Sequence, residues 1–428
     1  MSEPSGGFSQ SERPASSEAP APPIPKGYRR GTHRLCAPEE TVERVRRFMP
    51  MMGITRIANV TGLDVLGIPV VMVCRPNSRS LAVSQGKGLD LASAKASGLM
   101  ESVESYHAER VTLPIKLGSH TDLRLTHSLV DVDLLPRLTV SAYRRDMQIL
   151  WIEGVDLVRD GPCWVPYEMV HTNFTLPLPT GSGSFFMSSN GLASGNHLLE
   201  AASHGICEVV ERDATSLWHM LDEHARRQTR IHLDSVDDPG CREVLDRCER
   251  AGVAVAVWDT TSDIGIPAFL CTFVERDPSP LRPLYPTSGM GCHPAREVAL
   301  LRALTEAAQA RLTLIAGSRD DVARRRYTES QDLDSVSTVQ ARVHTDQPMR
   351  AFSEVPTRAG ATFDDDVQWE IQGLRMAGIE SVIVVDLSKP EFDIPVVRVI
   401  IPGLEALHDA PGYVPGPRAR RRLEGRGA

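Results

Sequence analysis

One spacing that occurs twice constrains this chain more than any other feature. From Gly88 the sequence reads G-x9-G-x2-E-x2-E through Gly98, Glu101 and Glu104. From Gly195 the same template recurs through Gly205, Glu208 and Glu211. A small-residue turn leads into each copy, SQGKG at 84–88 and LASG at 192–195. A third helical stretch follows SGMG at 288–291 and carries Glu306 and Gln309 with the same three-residue step, at a different offset from its glycines. The first and third copies also follow strands that open with GIP, at 67–69 and 265–267. The pattern predicts a triplicated turn-plus-helix unit inside one domain.

Residues three apart share a helix face, so Glu101/Glu104 and Glu208/Glu211 each form a carboxylate pair. Glu200 lies two turns before Glu208 on nearly the same face. A mid-helix glycine costs roughly 1 kcal/mol against alanine, and its repetition at Gly98 and Gly205 predicts a close approach to both helix backbones. A single E-x-x-E more often marks a solvated face; two copies in one register favour a site. If the copies converge, charges about 4 Å apart repel by roughly 4 kcal/mol at an effective dielectric of about 20. Such a cluster is comfortable only around cations. Oxygen-only ligands point to a hard ion, magnesium before calcium, and magnesium usually accompanies phosphates. Arg212, Arg302, Arg311 and Lys87 stand beside these carboxylates as candidates for phosphate oxygens. No G-x-x-x-x-G-K-[ST] is present, which excludes a P-loop, and the protein-kinase set is absent too. His197 and His204 flank the glutamates without a partner at ligand spacing and read as packing or supporting groups. No Ser-His-Asp or Cys-His arrangement stands out.

At 428 residues the chain can bury one large core or two smaller ones. Its formal charge of −8 provides no overall field for nucleic acid, and no apolar run is long enough to cross a bilayer. Eight cysteines are scattered without a C-x-x-C pair, which reads as reduced thiols in a cytoplasmic protein. Residues 1–25, rich in Ser, Pro, Ala and Glu, predict a disordered tail, and 418–428 an Arg-rich flexible one. Between them, buried strands are expected at 68–74, 254–259, 267–274, 381–387 and 395–401. Helices are expected at 90–110, 196–221, 241–252 and 295–317, the last capped by Gly317. The stretch 110–190 reads as irregular β-structure with loops. The class is mixed α/β.

SSNGLASGNHLLEAASHGICEVVERDA, with SQGKGLDLASAKASGLMESVES before it and GMGCHPAREVALLRALTEAAQARL after it, resembles the YcaO family. The likeness runs from about Lys26 to Pro417. It implies an α/β fold that binds ATP and magnesium without a P-loop and activates a peptide-bond amide oxygen by phosphorylation. Carried over by position, Glu101, Glu104, Glu200, Glu208, Glu211 and Glu306 would hold magnesium ions or order their shell. Arg212 and Arg302 would contact phosphates, with Lys87 nearby, and Asn196 would lie close to the nucleotide. KGYRRGTHR (26–34) resembles the piece that closes over the nucleotide, with Arg30 and Arg34 as candidates there. Ala193 departs from members that carry serine, and a water or backbone group would replace that contact. Positioning and charge stabilisation then suffice, with no covalent residue.

YcaO proteins differ in what attacks the activated amide. Azoline-forming members use a Cys, Ser or Thr side chain of the substrate, and many end in a proline-rich C-terminus. Here PGYVPGPRA (411–419) continues into RRRLEGRGA. IPGLEALHDAPGYVPGPRAR resembles the C-terminal segment of members that work with a TfuA partner and install sulfur to make thioamides. Peptide thioamidation with a sulfide donor is therefore the first expectation, azoline cyclodehydration the second, and backbone amidine formation the third. A non-catalytic accessory role in ribosomal-protein methylthiolation is the alternative of another class. No leader-recognition domain precedes the core, so a precursor peptide would be presented by a TfuA-like partner. A homodimer is suggested by the family alone.

Overall fold

The computed structural model describes residues 22–277, 285–319, 333–345 and 347–424. In chain order the strands are β1 (Arg56–Asn59), β2 (Val70–Cys74), β3 (Val83–Lys87), β4 (Ile115–Gly118), β5 (Ile149–Asp156) and β6 (Gly161–Pro166). They continue as β7 (Leu192–Ser194), β8 (Val253–Asp259), β9 (Ala268–Glu275), β10 (Thr287–Cys292), β11 (Ile383–Asp386) and β12 (Val396–Ile400). The helices are α1 (Pro38–Arg46), α2 (Met49–Met52), α3 (Leu91–Glu109), α4 (His120–Leu123), α5 (Leu198–His219) and α6 (Glu223–Gln228). After these come α7 (Pro239–Arg250), α8 (Arg296–Ala316), α9 (Leu333–Thr345), α10 (Phe363–Met376) and α11 (Pro417–Glu424).

Three antiparallel sheets result, in the orders β1-β2-β3, β10-β9-β8 and β4-β5-β11-β12-β7, with β6 also on β5. Largely apolar runs explain why β2 and β9 are buried along nearly their whole length, and β12 is buried throughout although it carries Arg398. One long helix packs on each sheet: α3 on β2 and β3, α5 on β7 and β12, α8 on β9 and β10. Asp90 caps α3 by accepting from Ser93 N at 2.8 Å, and α8 stops at Gly317 with φ 57°.

The three units share one register once counting starts on the strand. Gly86, Ala193 and Gly291 each lie on the strand that leads into its helix. Twelve residues later stands a small residue (Gly98, Gly205, Ala303). Fifteen residues later stands a glutamate (Glu101, Glu208, Glu306), and eighteen later Glu104, Glu211 or Gln309. The apparent offset of the third copy came from counting at the wrong glycine. Packing confirms the alignment. A Cβ on Gly86 would lie 2.1 Å from Ala94 O and 2.2 Å from Gly98 N, and one on Gly291 2.1 Å from Ala299 O and 2.6 Å from Ala303 N. Thus the close approach predicted at Gly98 is made by the chain's own strand.

Several expectations need correction. The stretch 110–190 contains a regular antiparallel pair, β5–β6, at the heart of the largest sheet. Alternating burial along β5 is what makes it a strand. Residues 22–25 belong to the folded body: Ile24 N donates to Asp364 Oδ2 at 2.7 Å and Pro25 bridges Thr362. The rest of the expected N-terminal tail, residues 1–21, lies outside the described residues. At the other end, Pro417–Glu424 forms a helix where a loose tail was expected. Arg418 is buried there, 3.0 Å from Asp213 of α5 and bonded to Asp263. Two aspartates neutralising one guanidinium account for the order. Residues 425–428 lie outside the described residues.

Candidate active site

Between the faces of α3, α5 and α8 lies a cavity of about 930 Å³. Twelve of the thirteen charged or polar candidates line it, all but Arg311: Glu101, Glu104, Glu200, Glu208, Glu211, Glu306, Arg30, Arg34, Lys87, Asn196, Arg212 and Arg302. The shared register is the cause, since it turns equivalent helix faces toward one space. Glu101, Glu208 and Glu306 form one layer, and Glu104, Glu211 and Gln309 the next, one helical turn on. Strand N–H groups support the first layer, from Gln85 to Glu101 and from Met290 to Glu306 Oε1 at 3.3 Å.

Charge is unevenly matched. Lys87 Nζ lies 2.5 Å from Glu306, and Arg212 lies 3.3 Å from Glu211. Arg34 sits 3.5 Å from Glu200, which also accepts Leu35 N at 2.9 Å. Glu104 has Ser194 Oγ at 2.6 Å and, among the described residues, no cation at salt-bridge distance. Burial accordingly pushes Glu101 up to about 7 and Glu104 up to about 8, with Glu208 adding repulsion to both. Glu208 and Glu211 are also raised by burial. Glu306 is the exception: burial opposes its ionisation, but Lys87 and Arg212 hold it below the usual carboxylate range. Carboxylates crowded round a cavity, most of them held above their usual range by burial and mutual repulsion, fit a hard divalent cation that prefers oxygen ligands.

Arg30 stands at the rim, mostly exposed, 3.6 Å from Asp90. Arg302 donates to Cys292 O at 3.2 Å, and Asn196 links Thr41 (3.0 Å) to Glu200 (3.4 Å). Arg311 belongs elsewhere: it is buried between Asp64 (2.7 Å) and Glu275 (2.5 Å), as a structural ion pair and not a phosphate ligand. His204 lines the cavity with Nδ1 unpaired and is kept neutral by burial and by Arg302 and Arg34. Ala193 is fully buried, while its neighbour Ser194 turns its hydroxyl to Glu104, so alternation along β7 supplies a serine one position on.

Sequence reasoning missed Lys26, whose ammonium lies 2.5 Å from buried Asp366, beside His33 and His293. It also missed Ser194, Gln85 and Thr313. The last two are uncharged and separated by most of the chain, so only their shared position on the cavity wall could have exposed them.

The family model described as YcaO cyclodehydratase, ATP- and Mg2+-binding, matches residues 85–405. The chain belongs to the YcaO family. It is 38% identical over 379 residues to the protein of the tfuA 3′ region of Rhizobium leguminosarum bv. trifolii, covering 87% of this chain and 88% of that one. Among solved structures, YcaO from Methanopyrus kandleri bound with AMPPCP and Mg2+ superposes with a TM-score of 0.73 at 22% identity, over 92% of this chain and 99% of that one. A heterocyclase in complex with substrate and cofactor gives a TM-score of 0.75 at 24% identity, over 94% of this chain but only 56% of the heterocyclase. These two likenesses establish the YcaO fold. As members of this family bind ATP and magnesium, the cofactors of the chain are ATP and Mg2+.

Proposed function

We propose that the chain uses ATP and magnesium to phosphorylate a backbone amide oxygen of a ribosomally made peptide or protein, and that sulfur then replaces phosphate to leave a thioamide. One observation carries the reading: three helices in a common register aim six glutamates into a single cavity, where Arg212 and Arg302 of α5 and α8 meet Lys87 of β3 and the side chains of Arg30, Arg34 and Arg319. Glu101, Glu104, Glu200, Glu208, Glu211 and Glu306 would hold the metal. Magnesium bound there supplies neutralisation of the triphosphate charge. Arg302 and Arg34, toward the N-terminal ends of α8 and α5, are placed to bind phosphate oxygens together with the helix dipoles. Arg212 and Lys87 line the same space, beside Glu211 and Glu306. Arg30 closes the rim. Amide oxygen is a weak nucleophile, so the residues act by holding it in line with the terminal phosphorus and excluding water.

Sulfur is preferred over ring closure because the relative from the tfuA 3′ region aligns along most of both chains. The same likeness supports a TfuA-like partner that presents substrate. Azoline formation is the second reading, favoured by the heterocyclase likeness.

Short peptides encoded beside the gene, incubated with protein, partner, ATP, Mg2+ and sulfide, provide the test. Thioamidation exchanges oxygen for sulfur and gains mass, whereas cyclodehydration loses a water. Phosphate release that never rises above background would defeat both enzymatic readings and leave an accessory role.

A further inference from the structure

The third unit departs from the other two in one charge. Where the register places Glu104 on α3 and Glu211 on α5, α8 carries Gln309. Its hydrogen-bond partners are neutral as well, although Arg319 also lines the cavity. Gln309 Nε2 donates to Gln85 Oε1 at 3.4 Å, and Thr313 Oγ1 donates to the same oxygen at 2.6 Å. Gln85, Gln309 and Thr313 all line the cavity. Gln85 is only 1% exposed, yet its Nε2 has no hydrogen-bond partner among the described residues. Native interiors rarely keep a bare buried amide donor without a use. Gln309 spends its Nε2 on Gln85, which leaves its carbonyl oxygen as an acceptor for a ligand.

These two amides therefore offer a donor and an acceptor, both uncharged, one helical turn beyond Glu306. Arg30, Arg34 and Arg302 lie toward the N-terminal ends of α3, α5 and α8, where the helix dipoles also favour anions. The triphosphate belongs with them. The paired amides are left for a group that offers a donor and an acceptor of its own and must still reach the metal-binding layers, and a backbone amide is such a group.

We infer that Gln85 and Gln309 form the subsite for the substrate backbone. Gln309 Oε1 accepts the N–H of the amide being activated, and Gln85 Nε2 donates to a neighbouring peptide carbonyl; Thr313 holds Gln85 in place. This rests on the amide phosphorylation proposed above. In that step the amide oxygen bonds to the terminal phosphorus while the bond from phosphorus to the ADP oxygen breaks, and ADP leaves with the electron pair. The amide nitrogen feeds its lone pair into the C–N bond, so its N–H gains positive charge. A neutral acceptor on that N–H strengthens its hold as the charge grows. A carboxylate in the same place would be drawn to the metal or take the proton early, which accounts for glutamine where the register asks for glutamate.

The test uses the full chain loaded with Mg2+ and AMPPCP, and N-acetyl-hexaglycine amide as a probe that offers only backbone groups. Probe binding is read by saturation-transfer NMR and nucleotide binding by calorimetry. Gln309→Leu removes the acceptor at similar bulk, and Gln309→Glu keeps the shape while restoring the charge of the other units. Each is expected to weaken the probe at least about fivefold, with AMPPCP affinity changing less than about twofold. Thr313→Val, which only loosens Gln85, should weaken the probe by a smaller factor. A wild-type chain that binds no probe, or variants that bind it unchanged, would overturn the inference. So would an equal loss of AMPPCP affinity, which would put nucleotide at the amides. If instead the wild-type chain fails to bind AMPPCP with Mg2+, the ATP-dependent function itself falls.

Discussion

Helix α3 carries carboxylates of two opposite kinds, one buried and two half-buried. At its C-terminal end Glu109 is gripped by Arg75 through two bonds of 2.6 Å and by the hydroxyls of Ser78 and Ser80, each at 2.6 Å. Burial works against its charge, but these partners hold it down to about 2. Two turns earlier, Glu101 and Glu104 face the cavity and are pushed up to about 7 and about 8. The fold completes the first carboxylate with its own groups and leaves the second pair incomplete. An acid satisfied internally is architecture; an acid left short of cations is a binding site waiting for one.

The largest effect should come from breaking the completed kind. Arg75→Met leaves Glu109 with Arg110, at 2.9 Å, as its remaining ion-pair partner and should cost about 3 kcal/mol in denaturant unfolding; a loss under about 1 kcal/mol would erase the contrast. The incomplete kind should behave in reverse. Glu208→Gln or Glu211→Gln should lower peptide-dependent phosphate release at least about a hundredfold, while the thermal midpoint in metal-free buffer holds or rises. A clear fall in that midpoint would show these acids to be structural. A third measurement follows the protons. Glu101 and Glu104 hold protons to higher pH when folded than when unfolded, so their stabilising contribution is full below about pH 4.5 and is lost as pH rises through 7 to 8. His33 and His107, pushed down to about 3 and about 4, act in the opposite sense, but only below about pH 6.5. Between about pH 6.5 and 8.5 the metal-free midpoint should therefore drop by a few degrees, and Mg2+ should flatten the slope. The mildest case is Ser194→Ala, which removes the one hydroxyl on Glu104 and should weaken Mg2+ binding by a few-fold, about 1 kcal/mol.

Much of the cavity could be read in advance because glutamates and arginines at helical spacing declare which face they share. The same arithmetic would have excluded Arg311, which lies about 140° around α8 from Glu306 and meets Asp64 and Glu275. The third unit was legible only in part, since its register starts at Gly291 on the strand, which matches Gly86 and Ala193, whereas the position equivalent to Gly88 and Gly195 holds His293 there. Gln85 and Thr313 were invisible because a neutral pair so far apart in sequence leaves no periodic trace. The β5–β6 pair was obscured by the long loops around it, although its alternation of buried and exposed residues was there to be seen.

Arg418 gives the far end of the chain a practical weight. It is the counter-ion of Asp213, which follows Arg212 directly on α5 and accepts Glu405 N at 3.0 Å. Shortening the protein before residue 418, a routine step in preparing a sample, would leave a bare buried aspartate next to a cavity arginine. Preparations trimmed in this way should lose activity through α5, with every glutamate still in place.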